Sequence, residues 1–302
     1  MPSPAEPGSP GRLCVVGDLV EDVVVWASEP VRRASDTAAQ VFRTRGGSAA
    51  NTAAVAAGLA PTRFIGCVGA DAAGTALAEE LRASGAEVLV QRRGRTGTVV
   101  LIVDPDGERH MFPDRAAAAE LDAVDPAWLD GVARLHVPSY GLERDPARSA
   151  ILALAAEAHR RGVRVSVDVS STGLVAGLGL AEYRALLDAM APELLFANAE
   201  EAALLGIGEG RADAGAPEAP LGVATVVVKH GPRPTRVYAG GELVATVPVA
   251  PVARVRDLTG AGDAFAAGFL AAALAGAALE AACLAGHDAA AGVLAAPGAA
   301  AG

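Results

Sequence analysis

Short runs of branched apolar residues alternate along the chain with longer segments in which alanine, leucine and charged residues recur at helical spacing. The short runs are typical of buried strands and the periodic segments of helices. Strands that alternate with helices predict an α/β fold with a mainly parallel central sheet flanked by helices. The predicted strands are Leu13–Val16, Arg63–Val68, Val163–Val169, Leu194–Ala197 and Val223–Lys229, and the predicted helices are Ala49–Leu59, Ala72–Ala83, Ala147–Arg161, Ala181–Met190, Glu200–Leu205 and a long helical region from Ala264.

Two segments, residues 22–45 and 96–112, carry strand-like residues but do not alternate with helices. We interpret them as the strands of a small β lid over the carboxyl ends of the parallel strands, where a cover would exclude water. Residues 1–11 are rich in Pro, Ser and Gly and predict a disordered tail, so one domain is expected over residues 12–302. The Gly/Ala/Pro-rich residues 209–220 predict a surface loop.

The composition excludes several classes of protein. Hydrophobic residues make up 52% of the chain and charged residues 20%, which suits a sizeable core. A net charge of −10 argues against a nucleic-acid partner or an anionic membrane surface. The most membrane-like run, Ala264–Leu279, is too short and too weakly apolar to span a bilayer. Three widely spaced cysteines suit free, buried thiols in a reducing cytoplasm, so we expect a cytoplasmic protein.

The sharpest motif is DLTGAGD at residues 257–263, between a strand-like run at 244–255 and an apolar helix. Gly260, Ala261 and Gly262 allow backbone N–H groups to face an anion at a helix N-terminus, which suits a phosphoryl group. An acid at that place repels anions, but it can accept the proton of a hydroxyl that attacks phosphorus. Asp263 is therefore a candidate general base, and its alternative role is that of a helix cap.

This motif resembles the D-T-x-G-A-G-D signature of the ribokinase-like carbohydrate kinases, the PfkB family, with Leu258 where Thr is usual. The resemblance implies ATP-dependent transfer of the γ-phosphate to a hydroxyl of a small sugar or nucleoside. Gly260, Ala261 and Gly262 would form the anion hole and Asp263 would be the base. It also implies Mg²⁺ as a cofactor and, as in some relatives, a K⁺ site at the backbone near Asp257 and Thr259.

Two further regions resemble the family's acceptor site. Residues 46–53, GGSAANTA, are similar to the signature G-G-x-x-x-N-x-A, in which Gly46 and Gly47 let a loop approach the substrate and Asn51 contacts hydroxyls. Asp18 follows the first strand, and by resemblance it holds two sugar hydroxyls. The alternatives are a glycine turn before a small-residue helix and a solvated loop acid.

Other motifs resemble the family's nucleotide site. Asn198 and Glu201 match N-x-x-E and would organise the phosphates and, through water, the metal, although a capping box explains the same residues and the two roles can coexist. Lys229 and Gly231 end the strand that lies against the nucleotide in this family, but Pro234 stands where a second glycine is usual. Thr259 and Asp288 complete the predicted nucleotide contacts.

The sequence lacks the motifs of three other classes of protein. The chain has no Walker A sequence, its G-x-G at Gly260 lacks the third glycine of a dinucleotide site, and its five histidines are scattered. A non-catalytic sugar-binding or regulatory protein remains the alternative, although such a protein does not need the base. Arg109 and Arg115 could face an acidic or phosphorylated substrate, or be surface arginines. Because lids of this family often pair between subunits, the resemblance also implies a homodimer.

Overall fold

The computed structural model describes residues 11–208, 221–252, 255 and 258–295. In these residues the strands are β1 (Arg12–Val16), β2 (Val20–Ala27), β3 (Ala39–Gly46), β4 (Thr62–Val68), β5 (Glu87–Arg92), β6 (Thr98–Val103), β7 (Arg109–Asp114), β8 (Val132–Pro138), β9 (Arg164–Asp168), β10 (Leu194–Asn198), β11 (Thr225–His230), β12 (Arg233–Ala239) and β13 (Glu242–Val247). The α-helices are α1 (Ser48–Ala57), α2 (Ala72–Ala83), α3 (Ala147–Arg160), α4 (Thr172–Leu178), α5 (Leu180–Met190), α6 (Ala199–Leu204), α7 (Ala261–Leu274) and α8 (Leu279–Ala295).

The main sheet has nine strands in the order β13-β12-β11-β10-β9-β8-β1-β4-β5. All neighbours from β11 to β5 pair in parallel, and the two pairs at one edge, β11 with β12 and β12 with β13, are antiparallel. The parallel strands end at one edge of the sheet, so loops that are distant in sequence meet there. The predicted fold class is confirmed.

Helices cover both faces of this sheet because its strands are apolar on both sides. In β1, Leu13 and Val15 pack into the core with α1, α2, α7 and α8, whereas Cys14 and Val16 pack into the core with α3, α4 and α5. This alternation is what a strand covered on both faces requires. The cysteines Cys14, Cys67 and Cys283 are free and buried, as the sequence predicts.

A second sheet of four strands, β3-β2-β6-β7, is built from the two segments that do not alternate with helices. Its strands β2 and β6 pair in parallel, and β3 and β7 flank them antiparallel. The turn between β6 and β7 is closed by a hydrogen bond from Gly107 N to Asp104 O, 3.0 Å. We call this second sheet the lid.

Several boundaries differ from the sequence predictions. The apolar run after Ala264 contains two helices, α7 and α8, and the strand-like run at 244–255 is ordered as a strand only to Val247, because Pro248 and Pro251 interrupt it. Residues 1–10 of the predicted tail, the predicted loop at 209–220 and Asp257 lie outside the described residues. None of the helices described is both long and apolar enough to cross a membrane.

Candidate active site

A cleft of about 1220 Å³ lies at the carboxyl ends of the parallel strands and is lined on one side by the lid. We use the name lid half for Asp18, Asp22, Asn51, Arg115 and Tyr140 together with Val20, Val99, Met111 and Pro113 of the lid, which all line the cleft. We use the name α8 half for the lining residues Asn198, Glu201, Lys229, Gly231, Thr259, His287 and Asp288. Asp263 and the start of α7 belong to the same cleft, which thus brings together the predicted substrate and nucleotide residues.

Asp263 lies in the first turn of α7 and faces the first turn of α1. Its Oδ1 accepts a hydrogen bond from Ser48 Oγ at 2.6 Å, and its Oδ2 accepts one from Asn51 Nδ2 at 3.1 Å. The N-cap of α7 is Gly260, whose φ of 78° is a conformation that favours glycine. The interpretation of Asp263 as a helix cap is therefore wrong, because its carboxylate is held by α1.

Asn51 is itself held in one orientation by a buried arginine. Arg45 Nη1 donates to Asn51 Oδ1 at 3.3 Å and to the carbonyl of Ala50 at 2.9 Å. Since the amide oxygen of Asn51 faces Arg45, its NH₂ group faces Asp263. Asn51 is thus a fixed donor to the carboxylate.

Burial and the neighbouring charge of Asp168 raise the pKa of Asp263, the hydrogen bonds from Ser48 and Asn51 and the charge of Lys229 lower it, and the pKa is about 6. A carboxylate with this pKa is ionised at neutral pH and is a much stronger base than an exposed aspartate. This is the range in which a general base works best near pH 7.

The N-terminus of α7 provides hydrogen-bond donors beside this carboxylate. The N–H groups of Gly262 and Asp263 lie in the first helical turn, where no intrahelical acceptor is in reach. A Cβ at Gly262 would be 3.3 Å from Lys229 Nζ, so the lysine ammonium lies beside this turn. The helix dipole and the ammonium group together favour an anion here.

Two glycines bring α1 against the connection between β1 and β2. A Cβ at Gly46 would collide with the carboxylate of Asp22, and a Cβ at Gly47 with the backbone of Asp18. Gly47 also has a φ of 97°, which side chains rarely adopt. Both glycines are required for the close approach of this loop to the two acids.

Asp18 is 7% exposed and forms an ion pair with Arg115, Nη1 to Oδ2 at 2.6 Å. Burial raises its pKa, and Arg115 opposes this shift. Arg115 also donates to the carbonyl of Tyr140 and lies 3.2 Å from Glu143. Arg115 is therefore a residue of the cleft and not a surface arginine, whereas Arg109, on β7, donates to Thr259 Oγ1 at 3.0 Å.

Sequence reasoning assigned no role to Asp22, Asp168 and Ser48, which are among the acidic and hydroxyl residues of the cleft. Burial raises the pKa of Asp22 to about 6, Arg45 lowers it, and Asp263 raises it. Asp168 ends β9, and its Oδ2 accepts from Lys229 Nζ at 2.8 Å. The rule that selects Asp18, an acid at the carboxyl end of a parallel strand, also selects Asp168.

Asn198 and Glu201 form the predicted capping box at the start of α6. Asn198 Oδ1 accepts from the N–H groups of Glu200 and Glu201 at 2.9 Å, and Glu201 Oε2 accepts from Asn198 N at 2.8 Å. Burial, and then the charge of Asp168, raises the pKa of Glu201 to about 7. Both side chains line the α8 half, so the capping role leaves a ligand role open.

The remaining predicted nucleotide residues lie around the α8 half. Gly231 belongs to the turn between β11 and β12, and Thr259 lies just before the N-cap of α7. Asp288 is exposed on α8, beside His287, whose Nε2 is 2.8 Å from Thr235 Oγ1.

Lys229 has a raised pKa. Burial lowers the pKa of this ammonium group, but the charge and the hydrogen bond of Asp168 raise it by more.

The α/β sheet, the lid and the carboxylate beside an anion-binding helix N-terminus define a small-molecule kinase in which an alcohol receives the phosphoryl group. Comparison with known protein families identifies the family of this kinase. The pfkB family carbohydrate kinase profile matches residues 11–302, so the chain belongs to this family.

Characterised relatives are similar over most of the chain. A ribokinase from Arabidopsis thaliana is 29% identical over 280 residues, which covers 87% of this chain and 71% of that protein. An ATP-dependent ribose-1-phosphate kinase from Halopiger xanaduensis is 33% identical over 246 residues, covering 75% and 72%. The structure of the Arabidopsis ribokinase complexed with ribose and ATP matches with a TM-score of 0.78 and 26% identity, covering 95% of this chain and 94% of that one.

Proposed function

We propose that the protein transfers the γ-phosphate of ATP to a hydroxyl of a small sugar or sugar derivative, with Asp263 as general base. The observation that carries this proposal is the carboxylate of Asp263, held by Ser48 and Asn51 beside the N-terminus of α7. In the reaction the acceptor oxygen forms a bond to the γ-phosphorus, the bond from this phosphorus to the β,γ-bridging oxygen breaks, and ADP leaves. Asp263 takes the hydroxyl proton, and the anion hole at Gly260, Ala261 and Gly262 stabilises the phosphoryl oxygens. The N–H of Gly262 is its main donor, because that of Ala261 already donates to the carbonyl of Leu258 at 3.3 Å.

The acceptor binds in the lid half of the cleft. Asp22, Asn51 and the backbone at Gly46 and Gly47 hold its hydroxyls, and Asp18 provides a second carboxylate. The close packing of these residues supports this assignment, because Gly46 contacts Asp22 and Asn51 contacts Asp263. A hydroxyl held there lies beside the carboxylate that takes its proton.

ATP binds in the α8 half, at Asn198, Lys229, Gly231, Thr259 and Asp288. Glu201 would hold Mg²⁺ through water, and the cation would neutralise charge on the phosphate oxygens. The carboxylates of Glu201 and Asp168 suit this cation, because Mg²⁺ prefers oxygen ligands and acids outnumber bases in the cleft. That the structure of the Arabidopsis ribokinase contains both ribose and ATP supports the binding of a sugar and ATP by one chain of this fold.

A nucleoside is the second candidate acceptor. Val20, Val99, Met111 and Pro113 of the lid line the lid half with apolar surface, and the Tyr140 ring, stacked with Arg115, also lines the cleft. Apolar surface of this kind suits the face of a nucleobase better than a free sugar, whose substituents are polar all round.

Three finer assignments belong to the same proposal. A K⁺ ion binds at the backbone near Thr259 and Asp257, and the enzyme works in the cytoplasm, where ATP is available. The lid pairs with a second copy to form a homodimer, which its exposed Trp26, Val41, Phe42 and Phe112 support. Sedimentation equilibrium distinguishes this dimer from a monomer.

ADP release with a panel of free sugars and nucleosides tests the proposed function. We expect turnover with Mg²⁺, loss of activity in EDTA and recovery when Mg²⁺ is restored, because the phosphates need a counter-charge in this acidic cleft. Replacement of K⁺ by a bulky organic cation should lower the rate. Full turnover in metal-free buffer, or no ADP release with any acceptor, would overturn the proposal.

A further inference from the structure

Lys229 is the only lysine among the 25 lysine and arginine residues of the chain. A lysine ammonium group is a compact charge with three donors, whereas an arginine guanidinium group is a planar fork, so the two are not interchangeable at a close contact. This lysine lies near the end of β11 and lines the cleft, and its side chain is only 16% exposed. Because a buried charge is costly without partners, its contacts indicate its function.

Asp168 fixes the position of the ammonium group. The two residues lie at the carboxyl ends of β9 and β11, on either side of β10, and Lys229 Nζ donates to Asp168 Oδ2 at 2.8 Å. The other carboxylate oxygen, Oδ1, accepts from Ser170 N at 2.8 Å, which holds the carboxylate in this orientation. The ring centre of Phe196, on β10, is 6.0 Å from Nζ. The ammonium group is therefore held in one place in the cleft.

That place is beside the anion hole. The Cβ position of Gly262 is 3.3 Å from Lys229 Nζ, and the N–H of Gly262 has no acceptor within α7. Asp168 is the only acceptor that Lys229 has among the described residues, so two of its three N–H donors remain for a ligand. One phosphoryl group can therefore accept hydrogen bonds from both Gly262 and Lys229.

The charges around Lys229 make it important for an anion in this part of the cleft. Asp168, Glu201 and Asp263 surround the ammonium group, and each carboxylate repels a phosphate. Arg115 is the only other lysine or arginine among the described residues that line the cleft, and it pairs with two carboxylates. During phosphoryl transfer negative charge spreads over the three oxygens of the group in transit, so a cation beside that group stabilises the transition state.

We propose that Lys229 is a catalytic residue that donates to the transferred phosphoryl group in the transition state, and that Asp168 is the positioning residue that directs its ammonium group there. The lysine keeps its protons, and Asp263 remains the group that takes the hydroxyl proton. Lys229 thus differs from the residues of the α8 half that only bind ATP. The inference rests on the proposed kinase function and assigns a further part of the same reaction.

Lys229→Gln and Lys229→Arg test the role of the charge. The loss of one donor to a developing oxyanion predicts that Lys229→Gln lowers kcat by about 10²- to 10³-fold, while the Kd of a non-hydrolysable ATP analogue rises by less than about tenfold. Lys229→Arg keeps the charge and should recover part of this loss. Arg164→Gln, an exposed change at the start of β9, is the control and should leave kcat unchanged. A Lys229→Gln protein with the wild-type kcat at saturating ATP overturns the inference.

A double-mutant cycle tests whether Asp168 acts through Lys229. Asp168→Asn alone should lower kcat by about 10- to 100-fold, but in a Lys229→Gln protein it should lower kcat by no more than about threefold. The double variant removes both charges, so it keeps the test valid if a single variant is unstable because it leaves one buried charge unpaired. Equal effects in the two backgrounds would show that Asp168 acts on another group and would contradict its assignment.

Acylation of the single lysine gives a measurement that does not depend on turnover. With the protein saturated, the non-hydrolysable ATP analogue should slow acylation of Lys229 by about tenfold or more, and ADP, which lacks the γ-phosphoryl group, should slow it less. Mass analysis of the peptide that contains Lys229 gives both rates. Equal rates with and without the analogue overturn this inference alone, whereas no ADP release from any acceptor by the wild-type protein overturns the proposed function as well.

Discussion

The protonation state of Asp263 depends on a balance between burial and two hydrogen bonds. Burial and the charge of Asp168 raise its pKa, and the donors Ser48 and Asn51 lower it, with a result of about 6. A higher pKa would leave the carboxyl group protonated at neutral pH, and a much lower one would make it a weak base. The two donors from α1 therefore set the pH range in which the base can act.

The pH dependence of kcat/KM follows from this balance. Because the base must be ionised and its pKa is about 6, kcat/KM should be constant above that pH and fall by up to about tenfold per pH unit below it. Ser48→Ala removes the hydrogen bond that lowers the pKa most, so the acidic limb should move to higher pH. Rate profiles of both proteins from pH 5 to 9 check this prediction, and an unmoved limb would show that Ser48 does not tune the base.

Some of these residues could be predicted from the sequence and others could not. Residues 260–263 and Asn51 lie in local motifs whose backbone requirements are visible in one short segment. Ser48 is recognisable only through its contact with Asp263, which is 215 residues further along the chain. The role of Arg115 likewise depends on its pairing with Asp18, 97 residues away. No local pattern contains such contacts.

Among the elements, a hydrogen bond joins the lid to the residues just before α7. Arg109 of β7 donates to Thr259 Oγ1, one residue before the N-cap of α7. The lid also contributes Asp22 and apolar side chains to the cleft. We expect contact between the lid and these residues to limit the access of water to the cleft during the proposed transfer.

Arg109→Ala should weaken this contact. The loss of one exposed hydrogen bond predicts a rise of roughly 2- to 10-fold in the acceptor KM and a larger share of ATP hydrolysed without transfer. Arg43→Ala, which removes an exposed arginine that pairs with Glu21 inside the lid, is the matched control. Coupled measurement of ADP and phosphorylated acceptor gives both quantities, and equal effects of the two variants would argue against a special role for Arg109.

Among the secondary-structure elements, the sequence predicts most of the helices and the strands that are uninterrupted apolar runs. It misses β5, β8, β12 and α4. The central strand β8 shows why. Its sequence contains Arg134 and His136, which interrupt the apolar run, yet both are buried, at 3% and 0% exposure. Arg134 is compensated by Glu193, and His136 by Ser166, which no local pattern reveals.

At the scale of the whole molecule, the parallel sheet explains how residues from the entire chain reach one cleft. Asp18, Asp168, Asn198 and Lys229 follow or end four different strands, and α1 and α7 add Asn51 and Asp263 from opposite ends of the sequence. Because the parallel strands end at one edge of the sheet, residues that are far apart in the sequence can form one site there. The order of strands, and hence this grouping, follows from right-handed crossovers and not from any single motif.

The central claim is that Asp263 takes the proton of the acceptor hydroxyl, and the most direct test is kcat of Asp263→Asn. The amide keeps the size, its oxygen can accept from Asn51 while its NH₂ donates to the Ser48 hydroxyl, but it cannot take a proton. We therefore expect kcat to fall by about 10²- to 10⁴-fold while the free energy of unfolding changes by about 1 kcal/mol or less. Asp125→Asn, which keeps a capping side chain outside the cleft, should leave kcat unchanged. A folded Asp263→Asn protein that turns over at nearly the wild-type rate would contradict the mechanism.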